Sequence, residues 1–319
     1  TENTDAYVLY LRGRYHLTRH SEFEVKTACE LFAAAVDLDP RFASAYAMQA
    51  QCHMFLGFFG FTSPIEGFER AEPLLKRAVE LNGDLDIAHM LLGRLFMDKY
   101  WDWGRAEAEF RRAVELSPSS AEAHYRYALL LHDLGRGEEA LAEVKKAVDL
   151  DPLSVAVNQV AGTVCYFMSR TNDAIQLFQR ALEVEPKAAL AHNNIGLSYI
   201  DLGRIDEGIT EVRRAIELDP KNAMFKADLC YVYARIGHVS DAKELLASSE
   251  KEAATARVPP VAIAGMYASV GEKVKAMDWL WKAYAEHSPY LSSLKVERWF
   301  DGMRDEPSFL ELLRRIGLL

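Results

Sequence analysis

Imidazole and carboxylate groups carry most acid–base and metal chemistry in proteins, so the histidines and acids come first. His89, His124 and His192 recur at closely similar points of the chain, and a ladder of imidazoles raises the question of a metal. Ligands must all lie about 2 Å from one ion. Histidines that recur once per structural unit stand a whole unit apart, so these three are expected to pack rather than to coordinate. His132 is followed by Asp133, but no nearby Ser or Cys completes a nucleophilic set. HExxH is absent, and His16 and His20 have only Glu24 at comparable spacing. Glu138 and Glu139 fall at a predicted helix start, where the macrodipole favours acids without a catalytic role. Cys29, Cys52, Cys165 and Cys230 are scattered singly, without the close pairs of zinc or redox motifs. Each sits at an apolar helical position and reads as a small buried hydrophobe, so no disulfide framework is expected. These residues point to no enzyme, no cofactor and no metal.

Composition narrows the partners. Against 37 basic residues stand 47 acidic ones, a net charge of -10, which repels phosphate backbones and anionic membranes unless a basic patch is segregated. Nucleic acid is therefore not an expected partner. No apolar run approaches the roughly 18 residues of a membrane span, and Thr1 to Tyr10 lacks the charged start and apolar core of a signal peptide. The chain starts without Met and enters a helical pattern within a few residues, which reads as a piece of a longer protein. The cytoplasm is the expected compartment, or the periplasm if a membrane span precedes this segment.

What must position the side chains is a repeat. A phrase of Ala, aliphatic, acid, aliphatic, acid, Pro returns as AVDLDP at Pro40, AVELSP at Pro118, AVDLDP at Pro152, ALEVEP at Pro186 and AIELDP at Pro220, with AVELNG at Gly83 between the first two. From Pro118 to Pro220 the period is a constant 34 residues, the mark of a repeat array. From Ala189 to Asn222, the residues His192, Ile195, Gly196, Tyr199, Gly208, Val212, Ala215 and Pro220 follow the tetratricopeptide pattern; Asn158, Ala161, Gly162, Cys165, Ala174, Phe178, Ala181 and Pro186 follow it one unit earlier. The chain resembles the tetratricopeptide repeat family. That resemblance implies an all-α fold, a right-handed superhelical solenoid of about eight helical hairpins forming a single domain over 1–319. The hairpin limits are 6–40, 43–83, 86–118, 121–152, 155–186, 189–220, 223–253 and 259–287, with a capping helix in the tail 290–319 built on Phe309, Leu312, Leu313 and Ile316 after Pro307.

The pattern has physical reasons. Gly162, Gly196, Ala174 and Ala181 stand where two helices cross closely, while Phe178, Tyr199 and Tyr233 fill the gaps beside them. Gly135 and Gly203 provide the left-handed turn that lets the second helix fold back. Lys76, Arg111, Lys145 and Arg213 stand four residues before Glu80, Glu115, Asp149 and Glu217, which predicts alternating charges on an exposed stripe.

Three phrases lie outside the generic repeat: YLRGRYHL at Tyr10 to Leu17, YWDWGRAEAEFRRAVELSP at Tyr100 to Pro118, and RWFDGMRDEPSFLELLRRIGL in the tail. They resemble the repeat regions that lie C-terminal to effector domains in bacterial signalling proteins, including winged-helix transcription regulators, serine/threonine kinases and nucleotide cyclases. This implies a setting, not an activity: no glycine-rich nucleotide loop or kinase catalytic phrase occurs in the sequence. The expected role is a protein–protein interaction scaffold that binds a peptide or docks an effector domain of its own chain. The alternative is a structural module that assembles into homo-oligomers through solenoid edges.

First helices of such hairpins line a concave face, which assigns Arg94, Tyr125, Arg126, His132, Gln159, Tyr166, Asn193, Asn194, Tyr231 and Arg235 to a peptide groove. The family's chaperone-binding clamp also needs lysines, but Gln159 and Ala227 stand in the neighbouring inward positions, so a chaperone adaptor is disfavoured. The longer turns of the second and third hairpins carry Phe58, Phe59, Phe61, Tyr100, Trp101 and Trp103, expected together as an aromatic edge that either steadies the turns or docks a partner.

Overall fold

The computed structural model describes residues 1–19, 21–254 and 258–319, so His20 lies outside the described residues. Among them are seventeen α-helices and two 3-10 helices, with no strand. The chain divides into two compact units, Thr1–Pro118 and Ser119–Leu319.

The first unit holds three hairpins: α1 (Thr4–Leu17) with α2 (Glu22–Leu38), α3 (Ala43–Phe58) with α4 (Pro64–Leu81), and α5 (Asp86–Tyr100) with α6 (Trp103–Leu116). Five follow in the second unit: α7 (Ala121–Asp133) with α8 (Gly137–Leu150), α9 (Val155–Phe167) with α10 (Thr171–Val184), α11 (Ala189–Asp201) with α12 (Ile205–Leu218), α13 (Ala223–Arg235) with α14 (Val239–Ala253), and α15 (Pro260–Ser269) with α16 (Lys273–Ala285). Side chains start several of these helices by accepting from orphan backbone N–H groups: Ser21 from Glu24, Ser63 from Glu66, Asp102 from Arg105, Ser120 from Ala123 and Ser154 from Val157. Between the helices of a hairpin the backbone turns left-handed at Gly135 and Gly203, both with φ +78°, and at Ser169 with φ +57°.

Packing follows the small residues. A Cβ on Gly162 would stand 2.5 Å from the ring of Phe178, and one on Gly93 2.9 Å from Phe110, so these helices meet because one of them lacks a side chain. Phe178 is fully buried there, which contributes about 1.5–3 kcal/mol. Second helices bury one stripe, such as Ala174, Ile175, Phe178 and Ala181 of α10. First helices bury more of their circumference, as α9 does with Val157, Asn158, Ala161, Gly162, Val164, Cys165 and Tyr166.

Two expectations change. The charge stripe runs in the other direction: Lys76 pairs with Glu72 and Arg111 with Glu107, each at 2.7 Å, while Arg213 donates to the Tyr233 hydroxyl at 2.6 Å. An acid four residues ahead of the cation is the better arrangement, because it agrees with the helix dipole. Glu80, Glu115 and Glu217 instead pair three residues back, with Arg77, Arg112 and Arg214. The tail also does more than cap. Only α17 (Pro307–Arg315) is an α-helix, with Phe309, Leu312 and Leu313 buried; before it come 3-10 helices at Pro289–Leu291 and Arg298–Met303, and the second of these packs against α15.

Candidate functional site

The first helices of the second unit carry the predicted groove residues, and the tail lies among them. Arg298 donates to Asp201 of α11 at 2.5 Å, to the Tyr166 hydroxyl at 3.0 Å and to the Tyr166 carbonyl at 3.1 Å. Its guanidinium also sits 4.1 Å from the centre of the Tyr166 ring, so one cation is read by a carboxylate, a carbonyl and a π face together. Asp201 takes a second guanidinium, Arg235 of α13, at 2.5 Å. Next along the tail, Trp299 donates its indole N–H to Asp228 at 2.9 Å. Lys295 reaches the Leu134 carbonyl at 3.1 Å, across 161 residues of sequence.

Two carboxyls behind these contacts are displaced. Burial pushes Asp228 up to about 7, and burial together with the nearby Asp228 pushes Glu297 up to about 8. Asn193 donates to Asp228 at 2.7 Å and Asn194 to the Thr163 hydroxyl at 3.3 Å, so both amides brace the wall of the groove. The half-buried Tyr231 phenol is pushed up by its surroundings.

The remaining groove residues stand apart from the tail contacts. Arg126 pairs with Glu122 at 2.7 Å and lies 5.6 Å from the ring centre of Tyr125. His132 is buried against Phe167, with ring centres 4.8 Å apart, and burial pulls it down to about 4. Gln159 is half-buried, and its carbonyl accepts from Thr163. Arg94 belongs to the first unit, where it pairs with the buried Asp98 and stands 5.5 Å over Phe58.

Sequence reasoning missed Asp228, Lys295, Arg298 and Trp299. One signal was available. Adding 34 twice to Thr163 gives Leu197 and Tyr231, and a third step gives Gly265, a glycine at a lining position rather than at a helix crossing. A Cβ there would lie 2.3 Å from Trp299, so the missing side chain makes the indole's seat.

The histidine ladder is structural, with an added element. His89, His124 and His192 pair with Glu109, Glu143 and Glu211 of the second helix of the same hairpin, each at 2.6 Å. The second ring nitrogen of His89 meets the Gly83 carbonyl and that of His192 the Pro186 carbonyl, so the imidazole ties two helices and the preceding turn. Asn158 reaches the corresponding Pro152 carbonyl at 2.8 Å. Among the described residues no group of three or more His, Cys, Asp or Glu side chains is placed to hold a metal.

In the predicted aromatic edge, Phe59 packs against Phe58 at 5.4 Å and Phe61 at 6.1 Å, and Tyr100 against Phe96 at 6.1 Å. Trp103 is buried, Trp101 turns the chain with φ +50°, and Phe59 and Tyr100 stay exposed.

With hairpins, crossings and turns described, residues 102–155 and 162–223 match the family model described as tetratricopeptide repeat. The chain carries tetratricopeptide repeats. Its fold is that of tetratricopeptide solenoid structures: human IFIT1, solved as a dimer with m7Gppp-AAAA, is similar over 88% of this chain and 72% of its own at 17% identity and a TM-score of 0.63. Pseudomonas aeruginosa PilF is similar over 76% of this chain and 98% of its own at 16% identity and a TM-score of 0.52. In sequence, the transcriptional regulator HilA of Salmonella typhimurium is 28% identical over 137 residues, 43% of this chain. The match spans a quarter of that regulator's length, given as 25%. Tetratricopeptide solenoids are in general protein-binding scaffolds rather than enzymes, and among the described residues no helix is long and apolar enough to cross a membrane.

Proposed function

We propose that this chain is the protein-docking part of a larger bacterial signalling protein, of the kind whose repeats accompany an effector domain, and that the inner face of its second unit holds an extended peptide. One observation carries this reading: the irregular stretch from Lys295 to Trp299 lies on the first helices, held through its side chains by Tyr166, Asp201, Asp228 and the Leu134 carbonyl. That is how repeat grooves of this kind grip an extended chain, by anchoring alternate side chains and sparing the backbone. The chain's own tail is the occupant, so an outside ligand competes with it and carries similar groups, a guanidinium beside an aromatic ring. The partial likeness to HilA supports the regulatory setting. A net charge of -10 speaks against a nucleic-acid ligand.

The test is a titration with a synthetic peptide of residues 292–304. The double variant Arg298→Ala/Trp299→Ala, with its own anchors removed, is expected to bind the peptide at least about tenfold tighter than the unaltered chain, where occupancy in cis lowers the competent fraction. Adding Asp201→Asn should abolish that binding. A folded double variant that ignores the peptide refutes the groove.

Self-assembly is favoured by a different observation: Tyr7, Val8, Leu11 and Tyr15 are exposed along one side of α1, beside the exposed Phe23. A molecular mass by light scattering that stays monomeric at high concentration removes this second reading.

A further inference from the structure

Cys165 and Cys230 are thiols whose ionisation the protein suppresses: burial pushes them up to about 11 and about 12. The remaining two cysteines meet. Cys29 of α2 and Cys52 of α3 are hydrogen-bonded to each other, and Nε2 of His53 stands 3.5 Å from the Cys29 sulfur. Cys29 and His53 are half-buried, whereas Cys52 is fully buried beneath them among Leu17, Phe32, Met48 and Leu56. A Cys29 thiolate here accepts hydrogen bonds from the Cys52 thiol and the imidazole, which outweigh burial and draw it down to about 5, against an opposing push from Glu30. Cys52, shielded and next to that charge, is pushed well above its ordinary value. The cluster therefore joins a partly accessible nucleophile, an imidazole beside it and a second thiol within reach behind it.

We propose that Cys29, Cys52 and His53 form a reactive dithiol site whose oxidant is a hydroperoxide, closing a disulfide between the first and second hairpins. In the first step the Cys29 thiolate attacks the terminal oxygen of the peroxide: an S–O bond forms, the O–O bond breaks, and the leaving hydroxide or alkoxide takes up a proton. In the second step the Cys52 sulfur attacks the Cys29 sulfenic acid: the S–S bond forms, the S–O bond breaks, and hydroxide leaves as water with the Cys52 proton. Two thiols are oxidised and one peroxide is reduced to water, or to an alcohol and water. The site lies in the first unit and is independent of the groove.

The experiment exposes the full chain to hydrogen peroxide under non-denaturing conditions and reads free thiols, intact mass and a peptide map. The unaltered chain is expected to lose two of its four thiols and a mass of two hydrogens, with the bond mapped to Cys29 and Cys52. Cys52→Ser should stop at a Cys29 sulfenic acid trapped by dimedone, and Cys29→Ser should keep its thiols. His53→Gln should slow the first step while Cys165→Ser leaves it unchanged. Should a serine variant fail to fold, the thiol count and map of the unaltered chain decide alone. Four surviving thiols, a bond mapped to any other pair, or an unaltered rate in His53→Gln overturns the proposal.

Discussion

Gly265 and Asp228 decide more than their sizes suggest. Gly265→Ala places a methyl group where Trp299 sits, so the indole must leave its seat; the expected cost is about 1–3 kcal/mol, read as a lower melting temperature with a shift in tryptophan emission. An unchanged melt and spectrum would mean that the indole is not seated there. Asp228 and Glu297 give a pH dependence whose sign follows from their direction. Both hold protons to higher pH when folded, about 7 and about 8, than the roughly 4 of an unfolded carboxyl, so the folded chain binds more protons in between and stability falls as pH rises through that window. His132, pulled down to about 4, acts in the opposite sense but only below its unfolded value of about 6.5. His89, raised by its Glu109 partner, adds to the fall. Melting temperatures are therefore expected to drop from pH 6.5 to 9, and Asp228→Asn or Glu297→Gln should flatten the drop; equal slopes in variant and parent would refute the assignment. Sequence could display these residues but not the neighbours that matter, because Asp228 and Trp299 are 71 positions apart and only the folded chain joins them.

Helix pairs were the most legible level. The 34-residue period, the crossings at Gly162 and Gly196 and the turns at Gly135 and Gly203 are local consequences of side-chain size and φ, and the sequence states them directly. Ser169 shows the limit, since nothing in its type announces a left-handed turn. The histidine–glutamate ties were half legible: the imidazoles recur visibly, whereas their partners lie 19 or 20 residues away on the other helix. They can be weighed by substitution. His192→Ala should cost about 1–3 kcal/mol, since it strands the partly buried Glu211 and frees the Pro186 carbonyl. His192→Asn should cost less, because Asn158 already makes the corresponding carbonyl contact with the shorter side chain. Chemical denaturation of both variants checks the order; equal losses would show that the carbonyl contact contributes nothing. Gly162→Leu is expected to be more damaging than either, because its Cβ alone would stand 2.5 Å from Phe178.

Across the whole molecule, two compact units and a nearest-neighbour arrangement of hairpins predict unfolding that is not two-state. Trp101 and Trp103 report on the first unit, and Trp279, Trp281 and Trp299 on the second. Denaturation followed by fluorescence should differ in midpoint between chains that keep only one of these sets; coincident midpoints would count against independent units. The path of the tail was not legible at this scale, because a repeat pattern speaks only of neighbours while Lys295 reaches back 161 residues. That reach has a consequence for the order in which the molecule is made. A ribosome releases hairpins α7–α8 through α13–α14 before Lys295, Arg298 and Trp299 are polymerised, so each nascent chain passes through an interval in which Asp201 and Asp228 face water without their C-terminal partners. During translation the inner face is open by necessity, and it closes only when the last segment is released.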